Sequence, residues 1–176
     1  VELIGAAVRA AVREGSVASI IVVGYAAWSR ARSPTPAGVI RAAIDGGAAG
    51  VLLDTSGKDG RTLFDWMPAA AVGRWISEAR RAGLLAAVAG SLGHASIPSI
   101  SRLEPDIVGV RGAACTGGRL GIVSAQRVRS LRQAIDSVAP RRSRVPAKRE
   151  SNAALPLSES IESATRLPNQ SILPKA

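Results

Sequence analysis

The chain has 176 residues, 47% of them hydrophobic and only 3% aromatic, enough for one domain with a real core and suited to short buried strands under Ala-rich helices better than to a sandwich rich in Thr, Tyr and Phe. It contains no run of about 18 uncharged apolar residues, which excludes a membrane-spanning helix within it, and its single cysteine, Cys115, excludes an internal disulfide and fits a reducing cytoplasm. The formal charge of +10 raises nucleic acid or anionic lipid as partners, but a net +4 of it lies in residues 141–176 and the rest is spread over helices, mostly as Arg.

In chain order, VELIGAAVRAAVREG carries Glu2, Arg9, Arg13 and Glu14 on a helical period, so it reads as a surface helix and not as a signal peptide. Four apolar runs follow, at residues 17–24 (VASIIVVG), 49–55 (AGVLLDT), 84–91 (LLAAVAGS) and 106–112 (DIVGVRG). None alternates apolar with polar, so each is expected to be a parallel strand buried on both faces. Helical patterns separate them. Residues 36–45 end in Gly46-Gly47; residues 68–82 carry the stripe Val72, Trp75, Ile76, Ala79, with Arg80 and Arg81 in the last turn and Gly83 as stop. Residues 97–103 follow Ser96 and include Pro98, and residues 124–138 repeat Val128, Leu131, Ile135 and Val138. From residue 141 the chain is rich in Arg, Ser, Pro and Ala without any apolar period, and reads as a disordered basic tail after a domain spanning residues 1–140.

Alternation of strands and helices at this spacing implies right-handed parallel crossovers and an α/β fold. A doubly wound sheet and a (β/α)8 barrel of TIM type compete. GYAAWSRARS after the first strand holds no G-x-G-x-x-G turn, whereas polar groups recur at successive strand ends: Tyr25, Asp54-Thr55, Gly90-Ser91 and Arg111-Gly112. A barrel builds its active site in that way, and it is the favoured reading. Four strands are half of what a barrel needs, so two readings stay open: about the last four β/α units of a barrel, or an open four-stranded sheet whose edges could pair with a second copy.

The most informative segment is GVLLDTSGKDGRTLFDW. Asp54 ends a buried strand and Lys58 follows on a Gly-flanked loop, with Arg61 and Asp65 beyond. A carboxylate and an ammonium at a partly desolvated strand end can move protons, hold an enolate or grip a phosphate; a surface salt bridge is the alternative. The loops at Gly90-Ser91 and at Gly109–Cys115 present backbone N–H groups suited to a phosphate, and Arg111 adds a planar fork of donors, or else closes the strand end on Asp54 or Asp106. His94 is the only histidine, so a His triad or multi-His metal site is excluded. Cys115 reads as a small buried residue, and Trp28, Trp66 and Trp75 read as packing, not as a stacking platform for nucleic acid.

Taken together, GYA (24–26), LLDTSGKDGRTLFDW (52–66), GLLAAVAGSL (83–92) and PDIVGVRGAAC (105–115) resemble the (5-formylfuran-3-yl)methyl phosphate synthases over about residues 1–138. The resemblance implies a (β/α)8-barrel lyase, with no metal or organic cofactor, that condenses two molecules of glyceraldehyde 3-phosphate through a lysine Schiff base in methanofuran biosynthesis. It implies Asp54 and Lys58 as catalytic groups, and phosphate cradles to which Gly90, Ser91, Arg111 and Gly112 contribute. The family's Schiff-base lysine and a second catalytic lysine fall in N-terminal strands that this chain lacks; Lys58 is its only lysine before the tail. Where the family has Asp after GYA, this chain has Ala27, and its TGGRLG turn is shorter than the family's. The partners expected are a phosphorylated triose and, for the open-sheet reading, a second copy; a membrane is not expected, and nucleic acid is the least favoured partner.

Overall fold

In the computed structural model, which describes residues 1–15, 18–57 and 59–138, each of the four apolar runs contributes a strand: β1 (Ile21–Tyr25), β2 (Gly50–Asp54), β3 (Leu85–Val88) and β4 (Ile107–Val108). They form one parallel sheet in the order β1-β2-β3-β4. Helix α1 (Glu2–Arg13) precedes β1. The crossovers are α2 (Pro36–Asp45), α3 (Leu63–Trp66) with α4 (Ala69–Arg81), and α5 (Ile97–Arg102). A two-stranded hairpin, β5 (Cys115–Thr116) with β6 (Ile122–Val123), and helix α6 (Ala125–Val138) follow β4. The tail expected from residue 141 onward lies outside the described residues.

Local signals start the helices where the chain leaves a strand. Thr35 Oγ1 accepts the Gly38 N–H at 3.1 Å and Pro36 occupies the first turn of α2, where its missing N–H costs nothing. Helix α4 buries Val72, Trp75, Ile76 and Ala79 on one face, Val72 and Ile76 each worth about 1.5–3 kcal/mol of transfer free energy. The Trp75 indole N–H donates to the Pro36 carbonyl at 3.0 Å, joining α4 to the start of α2. Arg80 reaches the Glu104 carbonyl at 3.0 Å and Asp106 at 3.1 Å, and the other Asp106 oxygen accepts the Ala86 N–H at 2.9 Å. Asp106 therefore works at the N-terminal end of β4, remote from the end that carries polar groups.

The expectation of burial on both faces fails for half of the sheet. Val51, Leu53, Ala86 and Val88 are fully buried against the helices. On the opposite face Val23, Leu85 and Ile107 are 45%, 38% and 51% exposed. On that face Ala87, beside Ile107, is buried, so the exposure falls on particular side chains. A smaller cluster of Ile97, Ala114 and Leu131 seats α6 against α5 and the 3-10 turn Gly112–Ala114. Of the stripe expected on α6 only Leu131 is buried, and Val128 is exposed. No helix among the described residues is long and apolar enough to cross a membrane.

Candidate active site

The parallel register brings the C-terminal strand ends side by side. Tyr25 pairs with Asp54 across β1 and β2, and the ladder continues past them through Ala26 N–H to the Asp54 carbonyl at 2.9 Å, Ala89 N–H to Leu53 at 2.8 Å and Gly109 N–H to Val88 at 2.8 Å. Asp54 is half-buried, and one carboxylate oxygen accepts the Thr55 N–H at 2.6 Å. Its other oxygen takes no hydrogen bond or ion pair from the described residues.

A cleft of about 460 Å3 opens here, lined by Tyr25, Ala31, Asp54, Thr55, Ser56 and Arg119. A larger surface groove, about 640 Å3, runs between α4 and α5 past Arg74, Glu78, Arg81 and Arg102. It lies on the outer helical layer, away from the strand ends, and its lining mixes three arginines with Glu78 and Glu104.

The loop after β3 closes against this cleft. Gly90 has φ 110°, and a Cβ there would meet Thr55 Cγ2 at 2.7 Å, so only glycine lets the ends of β2 and β3 approach this closely. Its carbonyl accepts the Leu63 N–H at 3.0 Å, fixing the start of α3. Ser91 follows with φ 52°, uncommon for a residue with a side chain. Among the described residues the amides of Ser91, Leu92 and Gly93 have no hydrogen-bond acceptor. A run of unpaired N–H groups at a strand end favours an anion.

The loop after β2 is held by charge and by an aromatic ring. Asp59 binds Arg30 at 3.3 Å and Arg61 at 3.8 Å, and both guanidinium groups lie over Trp66, at 5.6 and 4.7 Å from its ring centre. The Arg61 N–H chiefly, with the Arg61 and Arg30 charges opposing desolvation, holds the Asp59 carboxyl below its ordinary 3.8. Asp65 accepts from Thr62 N–H at 2.6 Å and Thr62 Oγ1 at 2.8 Å, and these bonds lower its pKa too. Arg61 and Asp65 thus brace the loop.

The strand ends set Gly90 against Thr55, the residue after Asp54. Lys58 lies outside the described residues. Gly112 opens the 3-10 turn that follows β4, and Arg111, exposed, is that turn's cap. The arginine lining the Asp54 cleft is Arg119, which the sequence reading did not single out; its signal was an arginine enclosed by glycines in TGGRLG. His94 is exposed and bonds Ser130 at 2.9 Å, and Cys115 is buried. Among the described residues no group of three or more His, Cys, Asp or Glu could hold a metal ion.

A family model described as 4-HFC-P synthase matches residues 1–132. Among curated proteins, the (5-formylfuran-3-yl)methyl phosphate synthase of Methanothermobacter thermautotrophicus is 40% identical over 129 residues, covering 72% of this chain and 55% of that protein. The synthases of the same name from Methanopyrus kandleri and Methanocaldococcus jannaschii are 39% and 37% identical, over 71% and 76% of this chain and 54% and 57% of their own lengths. The chain spans about half the length of the curated relatives it matches.

Proposed function

The chain belongs to the 4-HFC-P synthase family, and on that premise we propose that it is the C-terminal half of a TIM-type (β/α)8 barrel, part of a cytoplasmic carbon–oxygen lyase. The reaction condenses two molecules of glyceraldehyde 3-phosphate into (5-formylfuran-3-yl)methyl phosphate, with loss of one phosphate and two waters, in methanofuran-type cofactor biosynthesis. The barrel reading is supported by strand order: four consecutive parallel strands each pair with the next, as in a barrel, with no reversal of the kind that marks a doubly wound sheet.

The observation that carries the chemistry is the half-buried Asp54 carboxylate at the end of β2, with one oxygen fixed by Thr55 N–H and the other unengaged by the described residues. In this proposal the substrate carbonyl forms an imine with a lysine that the resemblance assigns to the family's N-terminal strands. Asp54 takes the proton from the carbon beside that imine, a step that requires a base within hydrogen-bond reach. Lys58 shuttles protons to the departing oxygens. The Gly90–Ser91 amides, Gly112 and Arg111 hold substrate phosphate, and no metal or organic cofactor takes part.

The test is incubation of the full-length parent, which carries the N-terminal strands, with glyceraldehyde 3-phosphate, following furan absorbance and released phosphate, expected in equal amounts. Lys58→Ala should collapse turnover; a rate within about threefold of wild type removes Lys58 from the mechanism. A second reading, a catalytically inactive barrel remnant that self-associates or takes a partner, is favoured by the exposed Val23, Leu85 and Ile107 on one sheet face. Sedimentation decides it: a clean folded monomer argues against edge pairing.

A further inference from the structure

The Asp54 cleft has a cationic wall that comes from the far end of the sheet. Arg119 lines it, yet it sits on the hairpin after β4, two strands away from β2 in the sheet order. The hairpin is shaped to present it. Cys115 pairs with Val123 and Thr116 with Ile122; Gly117 and Gly118 both take left-handed φ, 82° and 76°; and a Cβ on Gly121 would overlap the Thr116 carbonyl oxygen. Side chains at these three positions would strain or open the tip that carries Arg119. Among the described residues the Arg119 guanidinium makes no ion pair or hydrogen bond. Arg119 and Asp54 therefore line one cleft without an ion pair between them, which leaves the arginine available to an anionic ligand.

We propose that Arg119 is the phosphate-gripping residue of this cleft, holding the phosphate monoester of a substrate whose reacting carbons face Asp54. The assignment deepens, and rests on, the reading of the Asp54 cleft as the substrate site. A fork of guanidinium donors matches two phosphate oxygens, and in a partly enclosed cleft such charge-assisted bonds are about twice as strong as neutral ones.

The test is calorimetric titration of the purified chain with inorganic phosphate and with glyceraldehyde 3-phosphate, for wild type, Arg119→Gln, Arg119→Lys and Arg102→Gln, the last an exposed arginine on α5. Arg119→Gln should weaken both ligands about tenfold, Arg119→Lys should recover part of the loss, and Arg102→Gln should match wild type. Phosphate binding by Arg119→Gln within about twofold of wild type, or no saturable phosphate binding by wild type, overturns the proposal. Turnover is measured on the full-length parent carrying the same substitutions. Arg119-dependent phosphate binding without furan product from the parent upholds the grip while refuting the lyase; product formed equally well by the Arg119→Gln parent does the reverse.

Discussion

Replacing Gly90 by alanine probes the contact that draws the ends of β2 and β3 together. The added methyl would lie 2.7 Å from Thr55 Cγ2 and 3.1 Å from Thr55 N and Oγ1, where carbon atoms normally rest about 3.5–4.0 Å apart. Thr55 is β-branched and 1% exposed, so it has little room to turn away. The positive φ of 110° adds its own cost. Backbone strain of about 1–2 kcal/mol and overpacking of about 1–3 kcal/mol together predict a loss of about 2–5 kcal/mol. Gly83 separates the two terms, because its φ is 78° and nothing lies within 4 Å of its Cβ position. Gly83→Ala should therefore lose only the backbone part. Urea unfolding of both variants gives the difference, and Thr55→Ser combined with Gly90→Ala should restore about 1 kcal/mol or more by removing Cγ2. Equal destabilisation by the two alanines, or a Gly90→Ala midpoint indistinguishable from wild type, would refute the reasoning.

In the full-length parent, Asp54→Asn should lower turnover about a hundredfold or more with a melting temperature close to wild type; unchanged turnover removes Asp54 from proton transfer. Trp75→Phe removes the donor to the Pro36 carbonyl and should cost about 1–3 kcal/mol in chemical denaturation. Asp65 has a folded-state pKa below its ordinary 3.8, so its stabilising effect is present above that value and is lost as pH falls through the depressed one. Melting curves of wild type and Asp65→Asn should accordingly differ near neutrality and converge in acid; a constant gap would show that the capping carboxylate does not titrate as described.

Much of the scaffold was legible because its signals are local. The strand runs at 49–55 and 84–91 contain β2 and β3, and the helical patterns at 36–45 and 68–82 match α2 and α4 to within a residue. The exposed sheet face was not legible, since an unbroken apolar run looks the same whether helices pack on one side or on both. The hairpin was missed because two-residue strands are too short to show a period. Arg111 drew attention because it ends an apolar strand, while Arg119 reaches the cleft through the signs of two glycine φ angles, which sequence periodicity does not encode. The grip of Arg30, Asp59 and Arg61 around Trp66 likewise joins loops from two different strands. Lys58, singled out beside Asp54 in the sequence, lies outside the described residues, and its role stands as a proposal.

The nearest-neighbour order of the sheet bears on how the protein is made. Ile21 meets Gly50, Gly50 meets Leu85 and Ala87 meets Ile107, so each new strand closes a loop of only about 20–35 residues onto the one synthesised just before it. A growing chain can therefore zip its sheet in the order of translation, each new strand covering the edge left by the one before it. Rearranging the gene so that β3 preceded β2 would forfeit that sequence of events, and its first cost would be measured in soluble yield on the ribosome's timescale.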